Sequence, residues 1–295
     1  MIDPKHTLSI TLPSTNSQRT FSFAMSIHFT LIRYDKNSNY KLNKNVINRF
    51  DSYHEIWTSN STGRFISNIN EALEFSGYQE AVHNVIDYLR TQKNSNVEQR
   101  CAIIIANDTV FSSHFSLLVR YIYHASINIY KTNPSQRPTL TGLFMPANPD
   151  IKLIVKAPRY LSTWLFMVEG TINELQNLRF YGSNVNIESF TKDIYLNLPD
   201  IYRQSVDSWL QPTHWLKGWY QAVPGRPLPS STLNRKRFAI YLEHTLPVRA
   251  MQSGFDVSCL SQRLGLISRV LLTLLRLLDR AYVNLLKLYY RLFAL

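Results

Sequence analysis

Apolar residues fall into short runs along the chain, and the runs alternate between two periods. Phe21 to Ile32 (FSFAMSIHFTLI) is dense in β-branched and aromatic residues and predicts a first strand. Tyr34 to Lys44 is polar, with Asp35, Asn37, Ser38 and Asn39, and predicts a loop; Asn45 to Phe50 predicts a short helix. His54 to Thr58 predicts a second strand, closing on the turn-forming cluster Ser59 to Gly63. Tyr78 to Arg90 carries Ala81, Val82, Val85, Ile86 and Leu89 at helical spacing. Cys101 to Ala106 is uninterrupted and apolar, and its Ile103 to Ile105 predicts a buried strand ending in Asn107-Asp108-Thr109. A further helix is expected from Ser113 to His124.

Strand, helix, strand, helix, strand, helix is the order of an α/β protein with a largely parallel sheet and helices on both faces. The second half is less regular. Pro134, Pro138, Pro146 and Pro149 predict a long connection, and Ile151 to Val155 a strand. Leu161 to Glu169 is apolar and aromatic, Thr171 to Arg179 predicts a helix, and Asn184 to Asp207 is helical in part. Val223 to Leu228 is a Pro/Gly loop, and Arg237 to Glu243 suits a last strand or a helix start.

Apolar content of 45% with 18% charged residues fits a folded domain with a substantial core. The 17 Tyr, 15 Phe and 5 Trp suit a core and a sugar-stacking cleft equally. Cys101 and Cys259 have neither metal-ligand spacing nor a disulfide framework, which implies a reducing compartment. His54, His83, His114, His214 and His244 have no ligand spacing either. Met1 to Gln18 is polar and carries Pro4 and Pro13, unlike a secretory leader.

The net charge of +12 implies an anionic partner. Much of that charge lies in Leu264 to Phe293, a leucine-rich stretch that would form a helix about 45 Å long. Six cations from Arg263 onward stand against Asp279, so +5 of the +12 sits here. At 100° per residue, Arg269, Arg276, Arg280, Lys287 and Arg291 fall within about 60° of one another. Its longest uncharged stretch is six residues, far short of the ~20 of a spanning helix. Such a helix suits an anionic membrane surface, with cations at the headgroups and leucines in the acyl boundary. Packing on its own domain or on a second copy is the competing use. Nucleic acid is not expected, because leucine covers most of the circumference.

In open α/β sheets ligands bind at the carboxyl ends of the strands, and Asn107 and Asp108 would sit there. Asp108 offers a hard carboxylate, suited to a divalent cation and a phosphate; the triplet alone also suits a turn or a helix N-cap. Asn60 could hydrogen-bond a base or ribose, or make a turn with Gly63. Gly77 and Tyr78 would let their helix approach a ligand closely, with Gln79 and Glu80 in its first turn; Glu80 also suits the helix dipole.

Four pieces taken in order resemble a family. They are Glu74-Phe75-Ser76-Gly77-Tyr78-Gln79-Glu80-Ala81, Ile105-Ala106-Asn107-Asp108-Thr109-Val110-Phe111, Tyr160-Leu161-Ser162-Thr163-Trp164-Leu165-Phe166, and Glu243-His244-Thr245-Leu246-Pro247 through Gly254. Over roughly residues 20 to 255 the chain resembles bacterial glycosyltransferases of the GT-A type, in the group related to rhamnan-synthesis proteins. Most GT-A enzymes carry Asp-x-Asp for the metal; here Asn107-Asp108-Thr109 has one carboxylate.

The resemblance implies a GT-A-like domain over 20–260, after a polar segment 1–19 and before the basic amphipathic helix 264–295. It implies transfer of a sugar from a nucleotide-sugar donor to a lipid-linked glycan acceptor in cell-surface polysaccharide synthesis. The donor-binding residues would be Asn60, Gly77, Tyr78, Gln79, Asn107 and Asp108. A divalent cation (Mn²⁺ or Mg²⁺) on Asp108, or an Arg or Lys in its stead, would neutralise the leaving diphosphate. Glu243 would be the base for the acceptor hydroxyl, the plainer reading being a surface or capping Glu. The place would be the cytoplasmic face of a bacterial inner membrane, bound peripherally. A non-catalytic, membrane-associated partner of another transferase is the alternative.

Overall fold

The computed structural model describes residues 7–11, 20–33, 44–57, 74–92, 99–107, 137–146, 159–181, 186–210 and 230–259. Eight strands appear among them. A hairpin, β1 (Thr7–Thr11) and β2 (Thr20–Ala24), pairs antiparallel. The main sheet has six strands: β3 (Ser26–Arg33), β4 (Ser52–Trp57), β5 (Arg100–Asn107), β6 (Thr139–Pro146), β7 (Arg159–Thr171) and β8 (Asp256–Cys259), in the order β4-β3-β5-β7-β6-β8.

The sheet is α/β and mixed. β4, β3 and β5 are parallel neighbours, β7 pairs antiparallel with both β5 and β6, and β8 lies parallel to β6. Five of the six strands therefore point the same way and β7 alone is reversed. The expected first strand, Phe21 to Ile32, is split at Met25 into β2 and β3, and the polar segment 1–19 contributes β1.

β5 shows why an unbroken apolar run makes a central strand. Cys101 through Ala106 are all at most 1% exposed, so both faces need apolar side chains. On one face, Ile103 and Ile105 join Ile32 of β3, Ile56 of β4 and Phe166 and Val168 of β7 in a single core cluster. Helix α2 (Glu74–Thr91) lays Phe75, Tyr78, Ala81, Val82, Val85, Ile86 and Leu89 on this cluster, at the three- and four-residue spacing of one helix face. A short helix, α1 (Lys44–Ile47), precedes β4, and Phe50 after it stacks on Phe29.

β7 leads into helix α3 (Ile172–Asn177) through a capping box: Thr171 Oγ1 accepts from the Glu174 N–H, and Glu174 Oε2 accepts from the Thr171 N–H. Short helical turns over Ile187–Asn197 lead to α4 (Asp200–Trp209).

Two expectations change. β6 lies inside the stretch read as a proline-marked connection; Pro138 precedes it and Pro146 is its last residue, so neither breaks the ladder. Arg237 to Glu243 is neither a strand nor a helix start but the middle of α5 (Ser230–Gln252). Phe238, Leu242, Leu246 and Ala250 recur every four residues and are buried, which is a helical stripe. α5 ends in a Schellman motif: the Phe255 N–H reaches the Ala250 carbonyl and the Gly254 N–H the Met251 carbonyl, with Gly254 at φ +85. That turn sends the chain straight into β8. The expected helix Ser113 to His124, strand Ile151 to Val155, loop Val223 to Leu228 and helix from Leu264 lie outside the described residues.

Candidate functional site

The chain runs from β3 to β4 on one side, then through α2 to β5 on the other side of β3. Strand order thus reverses between β3 and β5, the place where open α/β sheets leave a crevice at the strand carboxyl ends. Ile32 is in register with Asn107 there, so Arg33 and Asn107, the last residues of β3 and β5, flank that crevice. Asn107 occupies the strand end expected of it, and Asp108 follows it outside the described residues.

On the β4 side a charged cluster closes the edge. Arg33, 3% exposed, donates from Nε to Glu55 Oε2 (3.0 Å) and from Nη2 to Glu55 Oε1 (2.9 Å). Tyr53 donates its hydroxyl to Glu55 Oε1. Register puts Leu31 beside Glu55 and Arg33 beside Trp57, so Arg33 and Glu55 meet diagonally on one face. Partial burial opposes the Glu55 charge, but the hydrogen bonds from Arg33 and Tyr53 outweigh it and hold the carboxyl below its ordinary value. Burial first, and the bond to Glu55 second, push the Tyr53 phenol up.

On the other side the ladder between β5 and β7 ends at Ala106↔Leu165. β7 continues toward its own start, and Leu143 to Pro146 of β6 pair with Ser162 to Arg159 beyond that last β5 partner. The β6–β7 ribbon therefore extends past the last pair that β7 makes with β5. At its root is a wide bulge: Gly142 pairs with Phe166 but Leu143 with Ser162, leaving Thr163, Trp164 and Leu165 opposite no β6 residue. Gly142 is required by this packing, since a Cβ there would stand 2.8 Å from Leu161 Cδ1 and 3.1 Å from Phe166 Cβ.

Thr163 ties three elements together at this bulge. Its carbonyl accepts the Tyr78 hydroxyl of α2 at 3.2 Å. Its N–H and its hydroxyl both donate to Glu243 Oε1 of α5, each at 3.3 Å. Glu243 lies four residues before Pro247, which has no N–H to give the Glu243 carbonyl. The β5–β7 ladder ends two residues from Thr163, so Glu243 lies at the same end of the sheet as Asn107.

The Gly77 motif sits elsewhere than expected. α2 begins at Glu74, because Phe75 extends its apolar face by one turn, so Gly77 to Glu80 lie within the helix and not at its opening. Gly77 is buried. Tyr78 is fully buried among Phe75, Phe166 and Phe180. Gln79 donates to the Leu178 carbonyl and accepts from the Phe180 N–H, clamping α2 to the chain that follows α3. The polar groups of Tyr78 and Gln79 therefore serve the interior of the fold.

Asn60, Asp108 and the cations Arg269, Arg276, Arg280, Lys287 and Arg291 lie outside the described residues. Among the described residues, no three His, Cys, Asp or Glu side chains are placed to hold a metal ion, and no helix is long and apolar enough to cross a membrane. Sequence reasoning missed Arg33, Glu55 and Thr163. The one available signal for the first was a cation ending an apolar strand. Comparison with protein-family models, with curated proteins and with solved structures returns no match to the chain.

Proposed function

We propose that the crevice at the carboxyl ends of β3 and β5 binds a nucleotide-sugar, and that the protein transfers the sugar to a hydroxyl of a lipid-linked glycan. The observation that carries this reading is that Asn107 ends β5 at the same end of the sheet where Thr163 of β7 holds Glu243, a residue 136 positions later in the chain. In an α/β sheet such an edge is where ligands bind, and a carboxylate beside it supplies a base.

In the proposed reaction the acceptor oxygen bonds to the anomeric carbon of the donor as the bond from that carbon to the diphosphate oxygen breaks. The acceptor proton passes to the Glu243 carboxylate, and the nucleoside diphosphate leaves. In this proposal Asn60 and Asn107 would bind the donor, and Asp108 would serve its diphosphate. A divalent cation would supply charge neutralisation to the leaving group. A single carboxylate fits such an ion, because Mg²⁺ is commonly held by one or two carboxylates with the remaining positions filled by phosphates and water. The basic tail suits an acceptor that resides in a membrane, at its cytoplasmic face.

Thermal unfolding with UDP-, GDP- and dTDP-sugars, with and without Mn²⁺, tests this. A ligand at 100 times its Kd stabilises by about 2.7 kcal/mol, or about 4–5 °C for a chain of this size. One nucleotide class should raise Tm, and Asp108→Asn should remove any Mn²⁺-dependent part. No rise with any of the three would overturn the enzyme reading in favour of a non-catalytic partner of another transferase.

A further inference from the structure

Glu243 reaches the sheet edge from a helix, and its direction depends on what holds it there. A strand residue inside a regular ladder spends its N–H and C=O on its neighbours. The bulge removes Thr163 from the β6 ladder, and the β5 ladder stops at Leu165, two residues away. The backbone of Thr163 turns instead to side chains: its carbonyl to the Tyr78 hydroxyl, its N–H to Glu243 Oε1, with its own hydroxyl as the second donor to the same oxygen. Both Thr163 and Tyr78 are buried, at 4% and 0% exposure, so this wiring is shielded from competing water. Tyr78 cannot swing away, because Phe75, Phe166 and Phe180 surround its ring at centroid distances of 5.1–6.0 Å.

We infer that Tyr78 and Thr163 are positioning residues for Glu243: the Tyr78 hydroxyl sets the Thr163 peptide, and Thr163 aims the Glu243 carboxylate at the crevice. This rests on the reading of Glu243 as the acceptor base. It gives the Gly77-Tyr78 motif a role through α2 and the bulge, with no contact to the donor. A hydrogen bond to a carboxylate acts on its orientation and on its charged form together, so loss of either contact can be read at the Glu243 carboxyl itself.

The test uses the full chain with ¹³C-labelled Glu carboxyls, the Glu243 resonance being assigned by its loss in Glu243→Gln. Thr163→Val deletes one donor and keeps the shape; Tyr78→Phe deletes the hydroxyl and keeps the ring. Both should move the Glu243 resonance and raise the pH at which it titrates. Thr163→Ser, which keeps the hydroxyl, should restore the wild-type signal. An unchanged Glu243 titration in both variants, or no recovery with Ser, would overturn the inference. With a donor identified, both variants should lower kcat by roughly ten- to a hundredfold while KM stays within about twofold. Full activity in Glu243→Gln would remove the base reading while leaving the carboxylate titration to decide the positioning.

Discussion

Acidification from pH 7 to pH 5 should unload a defined part of this protein's stability, through two buried histidines. His28, 1% exposed, lies between Ser26 and Ser52 (2.9 and 2.8 Å), and Ser52 also bonds His54. Burial, helped by His54, pulls His28 down to about 3. His244, 7% exposed, is paired through Nδ1 with the Tyr202 hydroxyl at 3.1 Å, and burial pulls it down to about 4. In the unfolded chain both titrate near 6.5. Between that value and the folded one the unfolded state holds more protons, so stability falls as pH falls. At pH 5 each histidine should have cost roughly 2 kcal/mol relative to neutrality, from ~1.36 kcal/mol per unit over about 1.5 units. Glu55 is depressed from a value near 4.5 and so contributes only below this window. Urea midpoints for the wild type, His28→Asn and His244→Asn at both pH values read this out. Each variant should lose roughly 2 kcal/mol less than the wild type between pH 7 and pH 5, whatever its stability at pH 7. An equal acid loss in wild type and variants would refute the argument.

Gln79→Leu would strand the buried Phe180 N–H and leave the Leu178 carbonyl only its 3.4 Å bond from Arg179; a loss of roughly 1–3 kcal/mol is expected, read as a lower urea midpoint. Gly142→Ala would press a methyl group onto Leu161 and Phe166 and should cost about 1–3 kcal/mol in the same assay. Deleting Leu264 to Leu295 removes five of the clustered cations, each worth about 1 kcal/mol at an anionic bilayer. The truncated protein should move from the membrane to the soluble fraction; retention on the membrane would show that the tail is not the anchor.

Elements that answer to local rules were legible in the sequence. β5 announced itself because a strand buried on both faces must be apolar throughout, and α2 because its apolar residues keep one face. Thr171 and Glu174 spell a capping box three residues apart. Prolines misled where Pro138 and Pro146 bound β6 and hid it, whereas the 23-residue α5 carries Pro247 within it and was read only as a last strand or a helix start at Arg237 to Glu243. The site was legible in halves. Asn107 follows from the end of an apolar run, but the pairing of Arg33 with Glu55 depends on parallel register across 22 residues, and that of Thr163 with Glu243 on a bulge and a partner 80 residues away. Tyr78 and Gln79 read as ligand contacts because the resemblance of the Glu74 to Ala81 piece implies it and because Gly77 at a helix start would allow a close approach. Their bonds run inward to residues 85 and about 100 positions on, which no local pattern records.

The direction of β8 has a geometric consequence. It runs parallel to β6, and so in the same sense as β3 and β5, which heads the chain leaving Cys259 toward the end of the sheet that carries Arg33 and Asn107. Four residues separate Cys259 from Leu264, so the two can stand at most about 17 Å apart. If the proposed anchor from Leu264 onward holds a bilayer, that bilayer would lie toward the end of the sheet where the strands point. Anchoring would then set not only where the protein resides but which way it looks.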